Sequence, residues 1–432
     1  MRIVDLINKK REGGVHSRAE LDAIVDGYVR GAVPDYQVAA WLMAVCWRGM
    51  HVAELADLTR VMAASGQQLD LASIGRPVAD KHSTGGVGDK TSLIVMPLVA
   101  ACGVPVAKMS GRGLGFTGGT IDKLESFAGM RVDLDAEAFV RQLRDIGIVI
   151  SGQSADLAPA DGKLYALRDA TGTVPSLPLI ASSIMSKKLA AGAQVIVLDV
   201  KTGSGAFMRE PESAMALARA MVDIGTAAGR RMAAVVSDMS QPLGRSVGNS
   251  LEVAEALDTL AGGGQREFTE FATDLASTIV ALASDGALGR SEVDRALHSG
   301  GGLQMFRRLV EAQGGDTRGF DDRRCLPRAR VQRVLTAEAD GYLARLDALM
   351  VAHASSLLGA GRERKSDPID LSAGVVLAAK VGEHVVRGQP LATLHANDAS
   401  RLAQAEAVLR SAVEISAEQV AVAPLILERI SG

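Results

Sequence analysis

A chain of 432 residues is long enough for two or three domains and a large core, and 46 glycines with 47% hydrophobic but only 3% aromatic residues suit helices packed closely on a sheet. The formal charge of −3 and the lack of any long basic run argue against a nucleic-acid polymer as partner and leave small anions, which need only a local positive site. Cys46, Cys102 and Cys325 are isolated and show no CxxC spacing, which speaks against a disulfide framework or a zinc site and for buried free thiols.

Charges are scattered through the opening MRIVDLINKKREGG, so it does not read as a secretion signal. The most apolar uncharged run, residues 91–107, is interrupted by Pro97, Gly103 and Pro105 and is too short to span a bilayer. A cytoplasmic protein is expected. Residues 17–66 read as three helices: Ser17-Arg18-Ala19-Glu20 is a capping box, Asp35 caps a second helix after Pro34, and a third runs from Val52 to Ala64 and ends at Gly66. His16 and His51 fall near helix starts, where surface or cap roles are expected. Val38, Ala39, Leu42, Met43 and Val45 recur at helical spacing and fit either the core of this unit or a partner subunit.

From Pro77 onward, β-like runs alternate with helical ones: 78–79, 104–107, 148–150, 195–200 and 232–236 as strands, and 89–101, 120–127, 136–146 and 212–227 as helices, with a helical interlude at 160–191. This alternation predicts an α/β domain with a mostly parallel sheet, and functional residues gathered at the carboxyl ends of its strands.

The stretch Asp80-Lys81-His82-Ser83-Thr84-Gly85-Gly86-Val87-Gly88-Asp89-Lys90-Thr91-Ser92 follows the first of these runs. Its glycines permit close backbone approach, so that successive amide N–H groups can turn toward one oxyanion; Ser83, Thr84, Thr91 and Ser92 add hydroxyl donors and Lys81 a full charge. A helix opening at 89–91 would point its positive end at the same anion. A P-loop requires glycine directly before Lys-Thr, whereas Asp89 stands between Gly88 and Lys90. The stretch therefore reads as a phosphate cradle or as an ordinary glycine-rich turn.

Lys81-His82-Ser83, Lys108-Met109-Ser110 and Asp199-Val200-Lys201 each follow or close a β-like run, so their loops should converge. Thr120 ends a second glycine-rich segment, 111–119, and opens a helix, as a cap or as an anion donor. Arg168 lies on an expected helix from Asp161 to Ala170, and Ser183 and Lys187, four residues apart, share a helix face. Beyond Arg245 the chain reads as helical to about Gly314, then as a charged irregular segment to Arg324. A β-rich C-terminal domain is expected from about residue 330. Its KVGEHVVRGQPLA, 380–392, resembles the turn pattern of biotinyl and lipoyl half-barrels but lacks the modifiable Met-Lys-Met, and His384 and His395 are expected at the surface.

DKHSTGGVGD, AKMSGRGLG, TGGTIDKLES and QPLGRSVGNSLEV, in this order, resemble the pyrimidine nucleoside phosphorylases, the family that includes thymidine phosphorylase, across essentially the whole chain. The resemblance implies a helical domain at 1–70 completed by 160–192, an α/β phosphate-binding domain at 71–159 and 193–329, and a C-terminal α+β domain at 330–432. It also implies a homodimer through the helical domain, and reversible phosphorolysis of thymidine, deoxyuridine and uridine without an organic cofactor. Lys81, Ser83, Ser92, Lys108, Ser110 and Thr120 match the family's phosphate positions. His82, Arg168, Ser183 and Lys187 match its base-binding positions, with Arg168 and Lys187 at O4, Ser183 at N3 and His82 at O2; His82, Arg168 and Lys187 carry the catalysis.

The family's potassium positions map to Gly88, Lys90, Leu243, Ser246 and Glu255. Lys90 replaces a smaller residue there, so either its carbonyl is a ligand or its ammonium takes the ion's place. Phe116 stands where many members have His, and Lys108 matches the branch that accepts both ribo- and deoxyribonucleosides. The alternatives are a thymidine-only phosphorylase, an anthranilate phosphoribosyltransferase-like enzyme, whose usual Asp-Glu pair this chain lacks, and a non-catalytic nucleoside-binding protein.

Overall fold

The computed structural model describes residues 1–432 except Leu114, Phe116, Thr117, Ala155 and residues 363–366. Four helices come first: α1 (Ile3–Arg11), α2 (Arg18–Val29), α3 (Asp35–Arg48) and α4 (Val52–Ala64). Ser17 and Glu20 form the expected capping box. Asp35 is the first helical residue rather than the cap, which is Pro34. Helix α1, unforeseen in the charged N-terminus, buries Leu6 and Lys10. His16 is buried, not at the surface, with neither ring nitrogen hydrogen-bonded among the described residues and Nδ1 3.9 Å from Glu20 Oε2. Cys325 is exposed and Cys46 and Cys102 are half-buried, so the thiols are free but not deeply buried.

The α/β region follows: β1 (Ala79–Ser83), α5 (Thr91–Ala101), β2 (Val106–Ser110), α6 (Thr120–Leu124), α7 (Ala136–Ile146), β3 (Ile148–Gly152), α8 (Pro159–Thr171), α9 (Leu177–Ala190), β4 (Val195–Thr202), α10 (Pro211–Ala227) and β5 (Arg231–Asp238). Strands β5, β4, β1, β2 and β3 pair in that order, all parallel. Helix α5 is apolar on every side and buried almost throughout, as a helix inside a core must be, and it continues through Pro97. Helices α8 and α9 leave the sheet and pack on α2, α3 and α4, completing the helical lobe.

The rest of the chain comprises β6 (Ser246–Val247), α11 (Asn249–Leu260), α12 (Arg266–Ala283), α13 (Arg290–His298), α14 (Gly301–Ala312), α15 (Arg318–Asp321), β7 (Val331–Thr336), β8 (Gly341–Leu346), α16 (Ala348–Ser355), β9 (Gly374–Leu377), β10 (His384–Val385), β11 (Pro390–Ala396), α17 (Leu402–Ser411), β12 (Val413–Ser416) and β13 (Ile426–Ser431). Two strands cross over. The short β6 pairs with β9 in the C-terminal sheet, and β13 returns to pair antiparallel with β5 at the edge of the main sheet. This exchange, which nothing local in the sequence announces, pins the turn between β5 and β6 against the C-terminal domain. Among the described residues no helix is long and apolar enough to cross a membrane.

Candidate active site

The carboxyl ends of β1, β2 and β4 bring the glycine-rich loops together. Ser83 lies beside Asp199 in the β1–β4 register, and the Thr84 N–H donates to the Asp199 carbonyl at 3.1 Å. Lys81, fully buried, donates to Thr91 Oγ1 at 2.5 Å and stands 3.1 Å from Asp199 Oδ2. Asp199 also holds Lys201 at 2.8 Å. Asp89 accepts from the Ser83 hydroxyl and from Thr91 Oγ1 at 2.5 Å. Burial acts to raise the Asp89 pKa, but Lys81, Lys201, Lys123 and the Ser83 hydroxyl outweigh it and hold the carboxyl well below its ordinary range. The residue that argued against a P-loop is thus the organiser of this loop.

Lys123, singled out by nothing but its place in TGGTIDKLES, donates to the Asp89 carbonyl at 2.6 Å and pairs with Glu252 at 2.8 Å, joining both glycine-rich loops to α11. Lys108 donates to the Lys81 carbonyl at 2.5 Å, 3.9 Å from Asp80, and burial pulls its pKa down to about 7. Lys81, Lys108, Lys123, Lys188 and Lys201 therefore face Asp80, Asp89, Asp199 and Glu252, one cation more than the anions they pair with. The hydroxyls of Ser92, Ser110 and Thr120 have no hydrogen-bond partner among the described residues and remain available to a guest. Thr120 is the first residue of α6, whose cap is Gly119.

His82 lies at the border of this cradle. Desolvation, reinforced by Lys188, Lys108, Lys187 and Lys81, holds its pKa well below the usual value, so the imidazole is neutral at pH 7 and acts as an N–H donor. Across from it, α8 and α9 carry the remaining expected residues. Arg168 donates to the carbonyls of Thr173, Val174 and Leu179 at 3.4, 2.7 and 3.0 Å, leaving two of the five N–H groups that a guanidinium carries. Lys187 pairs with Asp161 at 2.5 Å and reaches Ser183 Oγ at 3.4 Å, as their shared helix face requires. Phe116 lies outside the described residues.

Lys188, next to Lys187 and passed over in the sequence, ties this lobe to the sheet: its ammonium donates to Asp80 Oδ2 at 2.7 Å and to the Met109 carbonyl at 3.0 Å. The chain crossings between lobe and sheet also lie side by side. The Gln67 N–H donates to the Asp156 carbonyl and the Leu69 N–H to that of Ala190, both at 2.8 Å. Gly192 adopts φ +84°, and a Cβ there would meet the Leu69 carbonyl oxygen at 2.4 Å, so only glycine fits.

Three family models cover the chain in order: the helical bundle domain of a glycosyl transferase family at residues 4–66, the a/b domain of that family at 75–303, and the pyrimidine nucleoside phosphorylase C-terminal domain at 342–416. A pyrimidine-nucleoside phosphorylase of Geobacillus stearothermophilus is 50% identical over 434 residues, 100% of both chains. Another from Staphylococcus haemolyticus is 51% identical over 400 residues, 92% of each. The chain belongs to the pyrimidine-nucleoside phosphorylase family. The crystal structure of an anthranilate phosphoribosyltransferase from Thermus thermophilus superposes with a TM-score of 0.58, covering 71% of this chain and 98% of its own; at 21% identity this likeness carries the fold alone.

The positions that in this family imply potassium do come together, but around a side chain. Lys90 Nζ donates to the Leu243 carbonyl at 2.9 Å, the Ser246 carbonyl at 3.1 Å and Glu255 Oε2 at 2.6 Å, while the Gly88 carbonyl accepts the Lys90 backbone N–H at 3.0 Å. The residues as they stand do not fit a potassium ion. Gly88, at φ +69°, is forced to be glycine because a Cβ would lie 2.7 Å from the Leu243 oxygen and 2.9 Å from that of Ser246.

Proposed function

We propose that this protein catalyses reversible phosphorolysis of thymidine, deoxyuridine and uridine to the free base and α-D-(deoxy)ribose 1-phosphate, in pyrimidine salvage and catabolism in the cytoplasm. The observation that carries the proposal is the lysine-rich cradle at the strand ends, with a neutral His82 lying in the field both of its lysines and of Lys187 and Lys188 of α9. Phosphate held by Ser92, Ser110 and Thr120, and by Ser83 once its hydroxyl turns from Asp89, in the field of Lys81 and Lys108, would attack C1′ from the face opposite the base. As the new C–O bond forms, the C–N bond breaks and its electron pair passes into the pyrimidine. His82 would meet the charge growing at O2 with its N–H, Arg168 and Lys187 the charge at O4, and Ser183 would bind N3. No side-chain nucleophile, organic cofactor or covalent intermediate is required.

Phosphate-dependent release of uracil or thymine, followed by ultraviolet absorbance, tests this directly. Release from thymidine but not uridine would establish the deoxyribonucleoside-restricted alternative. No release, with nucleoside still bound, would leave a binding protein.

A homodimer through the helical domain accompanies this reading. On α3, Tyr36, Ala40, Met43 and Trp47 recur at helical spacing opposite the buried Val38, Trp41, Leu42 and Val45, with Tyr36 74% and Trp47 82% exposed. A second copy of the chain is the proposed occupant. Sedimentation of wild type as a dimer and of Trp47→Glu as a monomer is expected; a wild-type monomer would exclude it.

A further inference from the structure

We propose that the Lys90 ammonium is a built-in monovalent cation, so that this protein holds its phosphate loop without the potassium ion that its family implies. In the turn between β5 and β6, the Leu243 and Ser246 carbonyls accept from Lys90, the Pro242 and Gly244 carbonyls accept from Lys380 of the C-terminal domain, and the Arg245 carbonyl accepts the Leu377 N–H. Glu255 is equally committed: Oε1 accepts the Arg245 N–H at 2.8 Å, and Oε2 accepts the Ser246 N–H at 2.7 Å as well as Lys90. Every carbonyl from 242 to 246 already accepts a hydrogen bond, and an ion touching the same three oxygens as Nζ would occupy the space Nζ fills.

Charge points the same way. One buried carboxylate matches one ammonium, and the Phe268 ring lies 5.1 Å from Nζ on a further side of the cage. Burial, with Lys90 next in importance, already draws the neighbouring Lys380 pKa down to about 7, so a further cation would enter a site that already disfavours the charge on Lys380. What the ammonium does is mechanical. It joins the residue before α5 to the β5–β6 turn and to α11, fixing Gly88 and Asp89 directly beneath the cradle. A tethered cation does this at every salt composition, whereas a free ion must be bound from solution.

The test is independent of which nucleoside is cleaved, because thermal stability reports it as well as turnover. The full chain is melted, and its phosphate KM measured, in potassium chloride, sodium chloride and tetramethylammonium chloride at equal ionic strength. Wild type is expected to give the same Tm and KM in all three, and crystals soaked in rubidium to show no anomalous peak among Leu243, Ser246 and Glu255. Lys90→Ser, which opens the cage, should lose stability in tetramethylammonium and regain it in potassium, with phosphate KM improving by about tenfold or more on adding the ion. A wild-type Tm or KM that responds specifically to potassium, or a rubidium peak in the wild-type cage, would overturn the proposal without recourse to the variant. A folded Lys90→Ser protein that no cation restores would overturn the equivalence of ammonium and ion.

Discussion

On the sheet side of the cleft, Lys81, Lys123 and Lys201 are locked to Asp199, Glu252 and the Asp89 loop by contacts that join β1, β4, α6 and α11 within the α/β domain, whereas on the helical side Arg168 and Lys187 are held by groups of their own lobe. The first arrangement is preorganised: the loops are tied in place before an anion arrives, and the hydroxyls of Ser92, Ser110 and Thr120, without a hydrogen-bond partner among the described residues, are the donors left over. The second is positioned but portable, since α8 and α9 can carry Arg168, Ser183 and Lys187 together without breaking any of their hydrogen bonds. The chain crossings at Gln67, Asp156 and Ala190 lie side by side, where such a movement would have its pivot if it closed the base onto the phosphate. Damage on the sheet side should therefore appear in kcat, phosphate binding and stability, and damage on the helical side in nucleoside binding.

His82 sits where the two regions meet and should show the largest effect. His82→Ala is expected to fold with an unchanged Tm and to lose roughly 10² to 10⁴ in kcat, the range for a positioned proton donor or acceptor. Because the free imidazole is neutral, the wild-type rate should show no loss as pH rises from 6 to 8 that His82→Ala abolishes. An unchanged kcat in the alanine variant would remove His82 from the mechanism.

Lys188 forms a buried ion pair between the two regions, 2.7 Å from Asp80 in a site where both side chains are nearly inaccessible. Lys188→Met leaves the Asp80 carboxylate buried with only the more distant Lys108, and removal of one member of a buried pair costs about 3–5 kcal/mol. Chemical denaturation checks this. A loss below about 1 kcal/mol would mean that water reaches Asp80 and that the lobes are not fastened there.

The sequence reveals the two regions unequally, for a physical reason. The glycine-rich loops, the capping box at Ser17 and the strand–helix alternation depend on neighbours along the chain, and these appear as written. Ser183 and Lys187 share a face because four residues make one turn. Lys123 and Lys188 are different: their partners, Asp89, Glu252, Asp80 and the Met109 carbonyl, are far away in sequence, so no local period distinguishes them from solvated lysines. The same holds for β13, whose partner β5 lies across the whole C-terminal domain, and for His16, which sits before a helix start like a cap but is buried, its ring 6.5 Å from that of Trp41. Lys90 stands out in the sequence as a lysine among cation positions, yet only the fold brings Leu243, Ser246 and Glu255 around its ammonium.

Lys108 sharpens the comparison because it is sheet-bound yet expected to sense the sugar. With one N–H donated to the Lys81 carbonyl, two remain for phosphate or the ribose 2′-hydroxyl. A charged donor contributes roughly 1.5–3 kcal/mol, so Lys108→Met should lower kcat/KM for uridine about 10- to 100-fold more than for thymidine. An equal loss for both would assign Lys108 to phosphate alone. With a pKa of about 7 in the free protein, its ammonium is the major form below pH 7 and is lost as pH rises through 7. Anion binding favours the charged form, so phosphate affinity should fall above pH 7 by up to about tenfold per unit more steeply in wild type than in Lys108→Met.

The smallest effect is expected on the helical side, and it tests whether the regions are separable at all. Asp161 orients Lys187 across 2.5 Å with neither side chain fully buried, so its charge holds the ammonium in place without leaving a desolvated ion when removed. Asp161→Asn keeps the shape and weakens the hold; Lys187 then samples more rotamers, and the nucleoside must order it on binding. Nucleoside KM should rise by about 5- to 10-fold, equivalent to roughly 1 kcal/mol, while phosphate KM stays the same. Initial rates at crossed concentrations of uridine and phosphate separate the two constants. A matching rise in phosphate KM would show that the cradle depends on the lobe facing it, and that the two regions act as one unit.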